Sequence, residues 1–545
     1  MPATILFNGT IYTMDPALPR AQALGIRDGR VIAVGSEGKV QAAVGGRAEA
    51  INLRGRALIP ALTDAHIHLV WYALARHDVR LDGLDDFDEA LRRIGGALDR
   101  MPEGGWVSGG GWNHTRWGGR WPTAADLDRV IPDRPALLMR KDGHSAWVNS
   151  RALEIAGIDD ATPDPPGGSI QREKQRATGV LFENAIGLVR RHMPTPTEEE
   201  RLAAIREVTV EAHSYGMVGM HIPPALQPGD AALTLHDVQQ LRARDQLKLR
   251  CLVHLGLDGL DEALRLGLRS GLGDRWIRIG GVKMFSDGSL GSETAEMLSH
   301  YEGRRHLGIA TMSTEELNDA VRRALGGGIA VTIHAIGDAA NRRVLDAIAA
   351  AQAELLPADG EERMAEQHVI PNRIEHAQIV HPRDIPRFAQ LGVVASMQPI
   401  HCTSDMEMAE QLWGLERCAT AYAWRSLKES GAVLAFGSDA PVEPLNPWLS
   451  IHAAVTRQRP GGVPADGWFP EQRIDVGAAI EGFTVGAAIA AGAAREQGTL
   501  MPGKLADLAI LSNDPFKMNP ADLHTVRSDM TMMEGEVVWE RKEHD

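Results

Sequence analysis

The sequence predicts an α/β fold: a closed (β/α)8 TIM-like barrel, a small β-sandwich built from both chain ends, and a lid insertion after the first barrel strand. Three observations lead to this prediction. Eight short apolar runs alternate with helical patterns along most of the chain. Short strand patterns separated by turns occupy both ends. One connection between strand and helix patterns is far too long for a single βα loop.

The two parts of the β-sandwich are predicted at residues 1–57 and 480–545. The N-terminal part places Asn-Gly and Asp-Gly pairs, which are typical hairpin turns, between short strands such as those of TILFNGTIYTMD. The C-terminal part repeats this pattern in ADLAILSND and DMTMMEGEVVWE. Neither end has enough strands to form a stable sheet of its own, so we expect the two ends to pair.

The barrel is predicted at residues 58–479. Helical segments such as STEELNDAVRRALGGG (313–328) separate the apolar runs and end near glycine, as helices commonly do. Parallel strands with intervening helices close into a barrel when there are eight of them. The eight predicted strands are ALIPALTDAH, VGMHI (218–222), LRCLVHL (249–255), IRIGGVKMF (277–285), IAVTIHA (329–335), RIEHA (373–377), VVASMQP (393–399) and VLAFGSD (433–439).

Residues 80–206 form the long connection and are rich in Trp, Gly and Pro, as in GGGWNHTRWGGRWP. Insertions at the top of a barrel usually build a lid or a substrate wall. We therefore consider His144 and Trp112 as candidate substrate contacts. The alternative is that His144 forms its hydrogen bonds within the lid and that Trp112 packs in the lid core.

The composition excludes several functions. There are 57 basic and 72 acidic residues, giving a net charge of −15, which argues against a nucleic-acid or anionic-membrane partner. No apolar run approaches the ~20 residues of a membrane span, and the N-terminus has no signal-peptide pattern. Cys251, Cys402 and Cys418 are scattered, which favours a reduced, cytoplasmic location. We expect a small-molecule substrate as partner, with a homodimer left open.

Two histidines follow the first strand in TDAHIHL. Side chains alternate along a strand, so His66 and His68 share a face and can meet at one point, although a solvated strand end would explain the pair equally well. The carboxyl ends of barrel strands converge on one rim. Four further residues lie at or near such ends: Lys283, His334, His376 and Asp439. Imidazoles with a carboxylate are ligands for zinc or a similar divalent metal.

Motifs along essentially the whole chain resemble those of the metal-dependent amidohydrolase superfamily, in particular the branch that contains N-substituted formamide deformylases. They are TDAHIH, VKMFSDGSLGS, IHAIGDAAN, IEHAQIVHP, ASMQP, GSDAPVEP and GTLMPGKLADLAIL. Each motif is weak alone, and their order makes the resemblance strong.

The resemblance implies a binuclear metal site. One ion would be held by His66, His68 and Asp439, and the other by His334 and His376. Lys283 would bridge the ions as a carbamate formed with carbon dioxide, because an ammonium group would be repelled beside two cations. The alternative for Lys283 is a buried salt bridge to Asp287 or Asp439.

The resemblance also implies a reaction. Asp439 would accept the proton of a metal-activated water and pass it to the leaving amine, which makes Asp439 and Lys283 the catalytic residues. His401, after ASMQP, would lie in a substrate-binding loop. We expect hydrolysis of amide-type, non-peptide carbon–nitrogen bonds. The same site could instead hydrolyse a lactone or carbamate ester, or deaminate. A catalytically inactive binding module is a third reading, and the complete ligand set argues against it.

Overall fold

The computed structural model describes residues 3–76, 78–98, 105–225, 229–355 and 370–542. The chain divides into two compact units. The first, which we call the barrel unit, comprises Met1–Val70, Leu202–Leu290 and Thr294–Asp545. The second, which we call the insertion unit, comprises Trp71–Arg201 and Gly291–Glu293.

The barrel unit contains one eight-stranded parallel sheet whose strand order follows the chain. The backbone N–H of Ala65 donates to the carbonyl of Phe436 at 3.0 Å, which joins the first strand to the last. The prediction of a (β/α)8 barrel is confirmed. Its strands are Leu62–Asp64, Met217–Ile222, Arg250–Gly256, Ile277–Phe285, Val331–Ala335, Arg373–His376, Val394–Met397 and Leu434–Phe436.

The run ALIPALTDAH, predicted as one barrel strand, is two strands in the structure. Ala57–Pro60 pairs antiparallel with Leu508–Leu511 in the sandwich, and only Leu62–Asp64 belongs to the barrel. Ala61 lies between them, and its N–H donates to the carbonyl of Asp507 at 3.0 Å. Both strands are buried, so their apolar patterns merge into one continuous run that sequence periodicity cannot divide.

Strands from both chain ends share one sheet of the sandwich, as predicted. This six-stranded sheet has the order Glu536–Glu540, Ser528–Met533, Leu508–Leu511, Ala57–Pro60, Thr10–Tyr12, Arg20–Ala21. A four-stranded sheet has the order Arg30–Gly35, Ala23–Arg27, Ala3–Phe7, Ala48–Asn52. One apolar core, which includes Leu6, Ile26 and Ile510, contains residues of both sheets.

The helix Thr314–Gly326 of the barrel unit begins with an ordinary capping signal. Ser313 accepts a hydrogen bond from the N–H of Glu316 at 3.2 Å, and the Glu316 carboxylate accepts one from the N–H of Ser313 at 2.8 Å, which is a capping box. The α-helices are Glu37–Val44, Asp230–Ala243, Leu260–Arg265, Thr314–Gly326, Asp338–Leu355, Ile385–Gln390, Pro399–Trp413, Leu415–Cys418, Trp424–Glu429, Pro447–Thr456, Val476–Glu481 and Ala487–Ala490.

The insertion unit has a sheet and a core of its own. Its six strands, in sheet order, are Gly168–Glu173, Arg176–Glu183, Ser145–Val148, Ala136–Arg140, Val107–Trp112 and Val79–Arg80. Its helices are Phe87–Ala97, Ala124–Asp128, Ser150–Ala156 and Ile186–Arg190. Two further helices, Leu69–Ala75 and Glu198–Ser214, lie where the chain passes between the units. That the insertion acts as a lid stays a prediction.

In the part of the chain that the structure describes, no helix has both the length and the apolar character needed to cross a bilayer.

Candidate metal centre at the barrel rim

Asp64 joins the end of the first barrel strand to the end of the eighth. Its carboxylate accepts hydrogen bonds from the N–H of His66 at 3.0 Å, from the N–H of Ser438 at 3.0 Å and from the Ser438 hydroxyl at 2.6 Å. The N–H of Asp439 in turn donates to the carbonyl of His66 at 2.7 Å. Burial raises the pKa of Asp64 to about 7. These bonds bring the first-strand histidines and Asp439 to the same place.

Asp439 is the centre of a cluster of four imidazoles. Its Oδ1 lies 3.4 Å from Nε2 of His66 and 3.3 Å from Nε2 of His68. Its Oδ2 lies 3.7 Å from Nε2 of His401 and 4.0 Å from Nδ1 of His376. Two groups therefore have ligand atoms within 4.8 Å of one another: His66, His68 and Asp439, and His376, His401 and Asp439.

The backbone turns sharply at two of these residues. His376 has φ of 74° and Asp439 has φ of 60°, both in the left-handed region that non-glycine residues rarely adopt. Such a conformation costs about 1–3 kcal/mol and concentrates at functional sites. His376 is the last residue of the sixth strand, and Asp439 follows the end of the eighth strand at Phe436. The side chain of each is therefore directed by a local turn and not by strand alternation.

Several buried atoms of the cluster suit a cation. Among the described residues, Nε2 of His66, Nε2 of His401 and Oδ1 of Asp439 are buried without a hydrogen-bond partner. Leaving such an atom unsatisfied costs about 1–3 kcal/mol. A divalent cation would satisfy the imidazole lone pairs and the carboxylate together, so the residues present fit a metal ion.

The protonation states also suit a cation. Burial lowers the pKa of His66 to about 4 and holds the pKa of His376 well below its usual value, so both imidazoles are neutral near pH 7. Burial alone would raise the pKa of Asp439, but the adjacent imidazoles of His68, His66 and His376 lower it well below its usual range. Neutral imidazoles and an ionised carboxylate are the forms that bind metals.

Lys283 is buried in the fourth barrel strand, with its Nζ 4.7 Å from the ring centre of Phe285. Within the described ranges, no carboxylate lies within the 4.0 Å of Nζ that defines an ion pair. Burial lowers the pKa of Lys283 to about 8, against the opposing effects of Glu375 and Asp439. The alternative of a salt bridge from Lys283 to Asp287 or Asp439 is therefore wrong for this structure.

His334 lies beside His376, with ring centres 4.6 Å apart, but belongs to neither ligand group. Its Nε2 is 2.9 Å from the carbonyl of Gly288 and 3.6 Å from Oδ1 of Asp287. Asp287 itself accepts hydrogen bonds from backbone N–H groups, including that of Gly337 at 2.8 Å. The structure thus places His401, and not His334, among the atoms closest to Asp439.

Sequence reasoning did not find the partner of His66. Its Nδ1 forms a short hydrogen bond with the carboxylate of Glu375, which also accepts bonds from Arg373 Nε at 2.5 Å and Ser396 Oγ at 2.6 Å. The motif RIEHA indicates such a partner, because Arg and Glu within one barrel strand are seldom buried unless they are paired.

His221 and His254 lie on barrel strands without belonging to either ligand group. Nδ1 of His221 accepts a hydrogen bond from Arg373 at 2.9 Å. Nδ1 of His254 accepts one from the N–H of Gly281 at 3.0 Å. Both side chains act as hydrogen-bonding residues of the barrel interior.

The two candidate substrate contacts of the insertion unit have partners within that unit. Trp112 is fully buried in its core, and the indole N–H donates to the carbonyl of Leu138 at 2.7 Å. His144 is largely buried, and its Nδ1 lies 3.0 Å from the carboxylate of Glu183. Their contact with substrate stays a prediction, and Trp112 has no exposed surface in this structure.

An eight-stranded barrel with histidines, an aspartate and a lysine at its rim is the architecture of metal-dependent hydrolases. The sequence pattern of the Amidohydrolase family matches residues 49–539. The chain therefore belongs to the amidohydrolase family, as its motifs indicated, and is of the metal-dependent hydrolase type.

Two curated relatives and one solved structure illustrate the similarity. Protein LONG AFTER FAR-RED 3 of Arabidopsis thaliana is 36% identical over 524 residues, covering 94% of this chain and 87% of that protein. The N-substituted formamide deformylase of Arthrobacter pascens is 28% identical over 98% of each chain. The crystal structure of an uncharacterized metal-dependent hydrolase from Pyrococcus furiosus is 29% identical, with a TM-score of 0.73, over 94% of this chain and 100% of that one.

Proposed function

We propose that this protein hydrolyses carbon–nitrogen bonds of amide type, other than peptide bonds, in a small substrate. The observation that carries the proposal is the cluster of imidazoles around Asp439, whose possible ligand atoms lie within 4.8 Å of one another in two groups. Among the described residues, three of these atoms, Nε2 of His66, Nε2 of His401 and Oδ1 of Asp439, are buried without a hydrogen-bond partner. The similarity to an enzyme whose name states deformylation of N-substituted formamides supports the choice of bond.

His66, His68 and Asp439 are proposed to hold one divalent cation, zinc or a similar metal, since imidazole and carboxylate suit such ions. A second cation would use His376. The family resemblance pairs His376 with His334, whereas the short distances in this structure pair it with His401. Zinc titration of His334→Ala and His401→Ala distinguishes the two, because only loss of a ligand should reduce the bound metal.

Lys283 is proposed to carry a carbamate. Its neutral amine would attack carbon dioxide, forming an N–C bond and releasing one proton, and the product is an anion with two oxygen ligands. A buried lysine without a carboxylate within ion-pair distance, among the residues described, is suited to this reaction, because the neutral amine is the reactive form.

The proposed reaction depends on the two oxygens of Asp439. When bound, the metal ions lower the pKa of a water to near neutrality and polarise the substrate carbonyl. Oδ1 of Asp439 faces His66 and His68, and Oδ2 faces His376 and His401. One oxygen can therefore serve as a ligand while the other accepts the proton of the attacking water and then gives it to the leaving amine.

Substrate profiling tests the choice of bond. Purified protein of measured zinc content is assayed with N-substituted formamides, other amides, carbamates and lactones. We expect turnover of formamides or simple amides above that of the esters. Turnover of lactones or carbamate esters alone would overturn the assignment to carbon–nitrogen bonds while leaving the metal centre intact.

A further inference from the structure

Glu375 and Arg373 form a fully buried ion pair next to His66. The carboxylate of Glu375 faces Nδ1 of His66, while Nε2 on the far side of the same ring lies 3.4 Å from Oδ1 of Asp439. Both charged side chains lie on the sixth barrel strand and are almost completely inaccessible to solvent. The pair therefore contacts the candidate metal centre through one imidazole ring.

The carboxylate of Glu375 is held on both oxygens. Oε1 accepts from Arg373 Nε at 2.5 Å. Oε2 accepts from Arg373 Nη2 at 3.2 Å and from Ser396 Oγ at 2.6 Å, and it also faces His66 Nδ1. Arg373 is fixed in turn by the carbonyl of Ala65 at 2.5 Å and by Nδ1 of His221 at 2.9 Å. With its position and charge fixed in this way, Glu375 can only accept a hydrogen bond from His66.

This geometry determines the tautomer of His66. An acceptor at Nδ1 requires the proton of a neutral imidazole to lie on Nδ1, which leaves the lone pair on Nε2. Nε2 is the atom directed at Asp439 and lacks a hydrogen-bond partner of its own among the described residues. We propose that Glu375, held by Arg373 and Ser396, is a positioning residue that presents the Nε2 lone pair of His66 and so sets the metal affinity of the centre.

This inference rests on the proposed function, because it requires a divalent cation at His66. A buried ion pair could instead serve the barrel alone, and such a pair would affect stability and not metal binding. The chain offers a matched case for comparison. Arg250 and Asp507 form another buried pair in the barrel unit, at 2.5 and 2.9 Å, and neither residue contacts an imidazole of the centre.

Glu375→Gln has a predictable local effect. The amide nitrogen cannot replace Oε1, since that position faces the Nε–H of Arg373, which can only donate. It would replace Oε2, where Ser396 Oγ and Nδ1 of His66 can both become acceptors. Arg373 Nη2 also donates to Oε2, but at the longer distance of 3.2 Å, and it keeps the carbonyl of Ala65 and Ser396 Oγ as acceptors. His66 would then carry its proton on Nε2, which blocks the lone pair needed by the metal.

The test compares the metal affinity of the wild-type protein, Glu375→Gln and Asp507→Asn. Each is stripped of metal, and zinc binding is measured by competition with a chromogenic chelator. Cobalt absorption spectra and the melting temperature of the metal-free protein are recorded in parallel. We expect Glu375→Gln to bind zinc about 10- to 100-fold more weakly, with an altered cobalt spectrum. Asp507→Asn should lower the melting temperature but bind zinc within about twofold of wild type.

The outcomes separate the possibilities. If Glu375→Gln binds zinc within about twofold of wild type, the positioning role is overturned. An equal loss of affinity in both variants also overturns it, because a general loosening of the barrel then explains the effect. Absence of zinc binding by the wild-type protein would overturn the proposed function itself. Should Glu375→Gln not fold, Ser396→Ala removes one donor to Oε2, and an unchanged affinity and cobalt spectrum in that variant would refute the role.

Discussion

Asp439→Asn should separate metal binding from proton transfer. Asparagine has nearly the same shape, keeps one carbonyl oxygen as a ligand and tolerates the left-handed backbone that Asp439 adopts at φ of 60°. The substitution should therefore cost little folding free energy. It removes the second carboxylate oxygen, which lies 3.7 Å from His401 and 4.0 Å from His376, and with it the proton acceptor.

The magnitude follows from the role of that oxygen. Loss of a general base commonly reduces turnover about 10²- to 10⁴-fold, and a 100-fold loss corresponds to about 2.7 kcal/mol of activation free energy. Metal should largely stay, because the imidazoles of His66 and His68 remain beside the amide oxygen. Asp439→Ala should lose both turnover and metal, and should be destabilised by about 1–2 kcal/mol because alanine disfavours this backbone conformation.

The assay measures kcat and zinc content of the Asn variant in the same preparation, at saturating substrate and with zinc in excess. Circular dichroism confirms the fold. Near-normal turnover with full metal would remove Asp439 from the mechanism. Loss of turnover that merely parallels loss of metal would show that Asp439 acts as a ligand alone.

Four further predictions concern the metal, Lys283 and the insertion unit. The purified protein should carry about one to two divalent ions per chain, most of them zinc, and lose activity with chelators. Elemental analysis measures the metal content, and an active preparation that contains no metal would contradict this prediction. Lys283→Ala should lose most of the bound metal, and short-chain acids or bicarbonate should partly restore it, which metal analysis with and without the additive measures. His144→Ala should change the substrate profile while zinc content stays at the wild-type level, and an unchanged profile argues against a substrate contact. Trp112→Ala should lower stability by about 3–5 kcal/mol, because it opens a cavity in the core of the insertion unit, and urea unfolding measures this.

The sequence predicted the barrel well because each strand is short, apolar and followed by a helical pattern. It could not divide ALIPALTDAH between barrel and sandwich, since both strands are buried and the run shows no change of period at Ala61. It could not foresee that the insertion has a six-stranded sheet of its own, because strands such as Val107–Trp112, with three glycines, lack the usual apolar alternation.

The sequence predicted the residue types of the candidate site better than it predicted which of these residues lie close together. His66, His68, His376 and Asp439 lie in the two groups of possible ligand atoms, and their binding of metal stays a prediction. Glu375 was not singled out, because strand alternation places neighbours on opposite faces and therefore separates it from His376. The left-handed backbone of His376 breaks that alternation, so both residues face the centre. His401 was assigned to a substrate loop, but it lies in the helix Pro399–Trp413 that follows the seventh strand, and its Nε2 faces Asp439.

The bonds from Asp64 to Ser438 link positions 374 residues apart in the chain. His66 and His68 are synthesised early, and Asp439 is synthesised only after all eight barrel strands. Contacts of such large sequence separation form late in folding, because the loop they close is long. A growing or partly folded chain therefore has the two histidines but not the complete ligand group. Tight metal binding is expected only once the first and last strands have met, so metal uptake can report barrel closure in a refolding experiment.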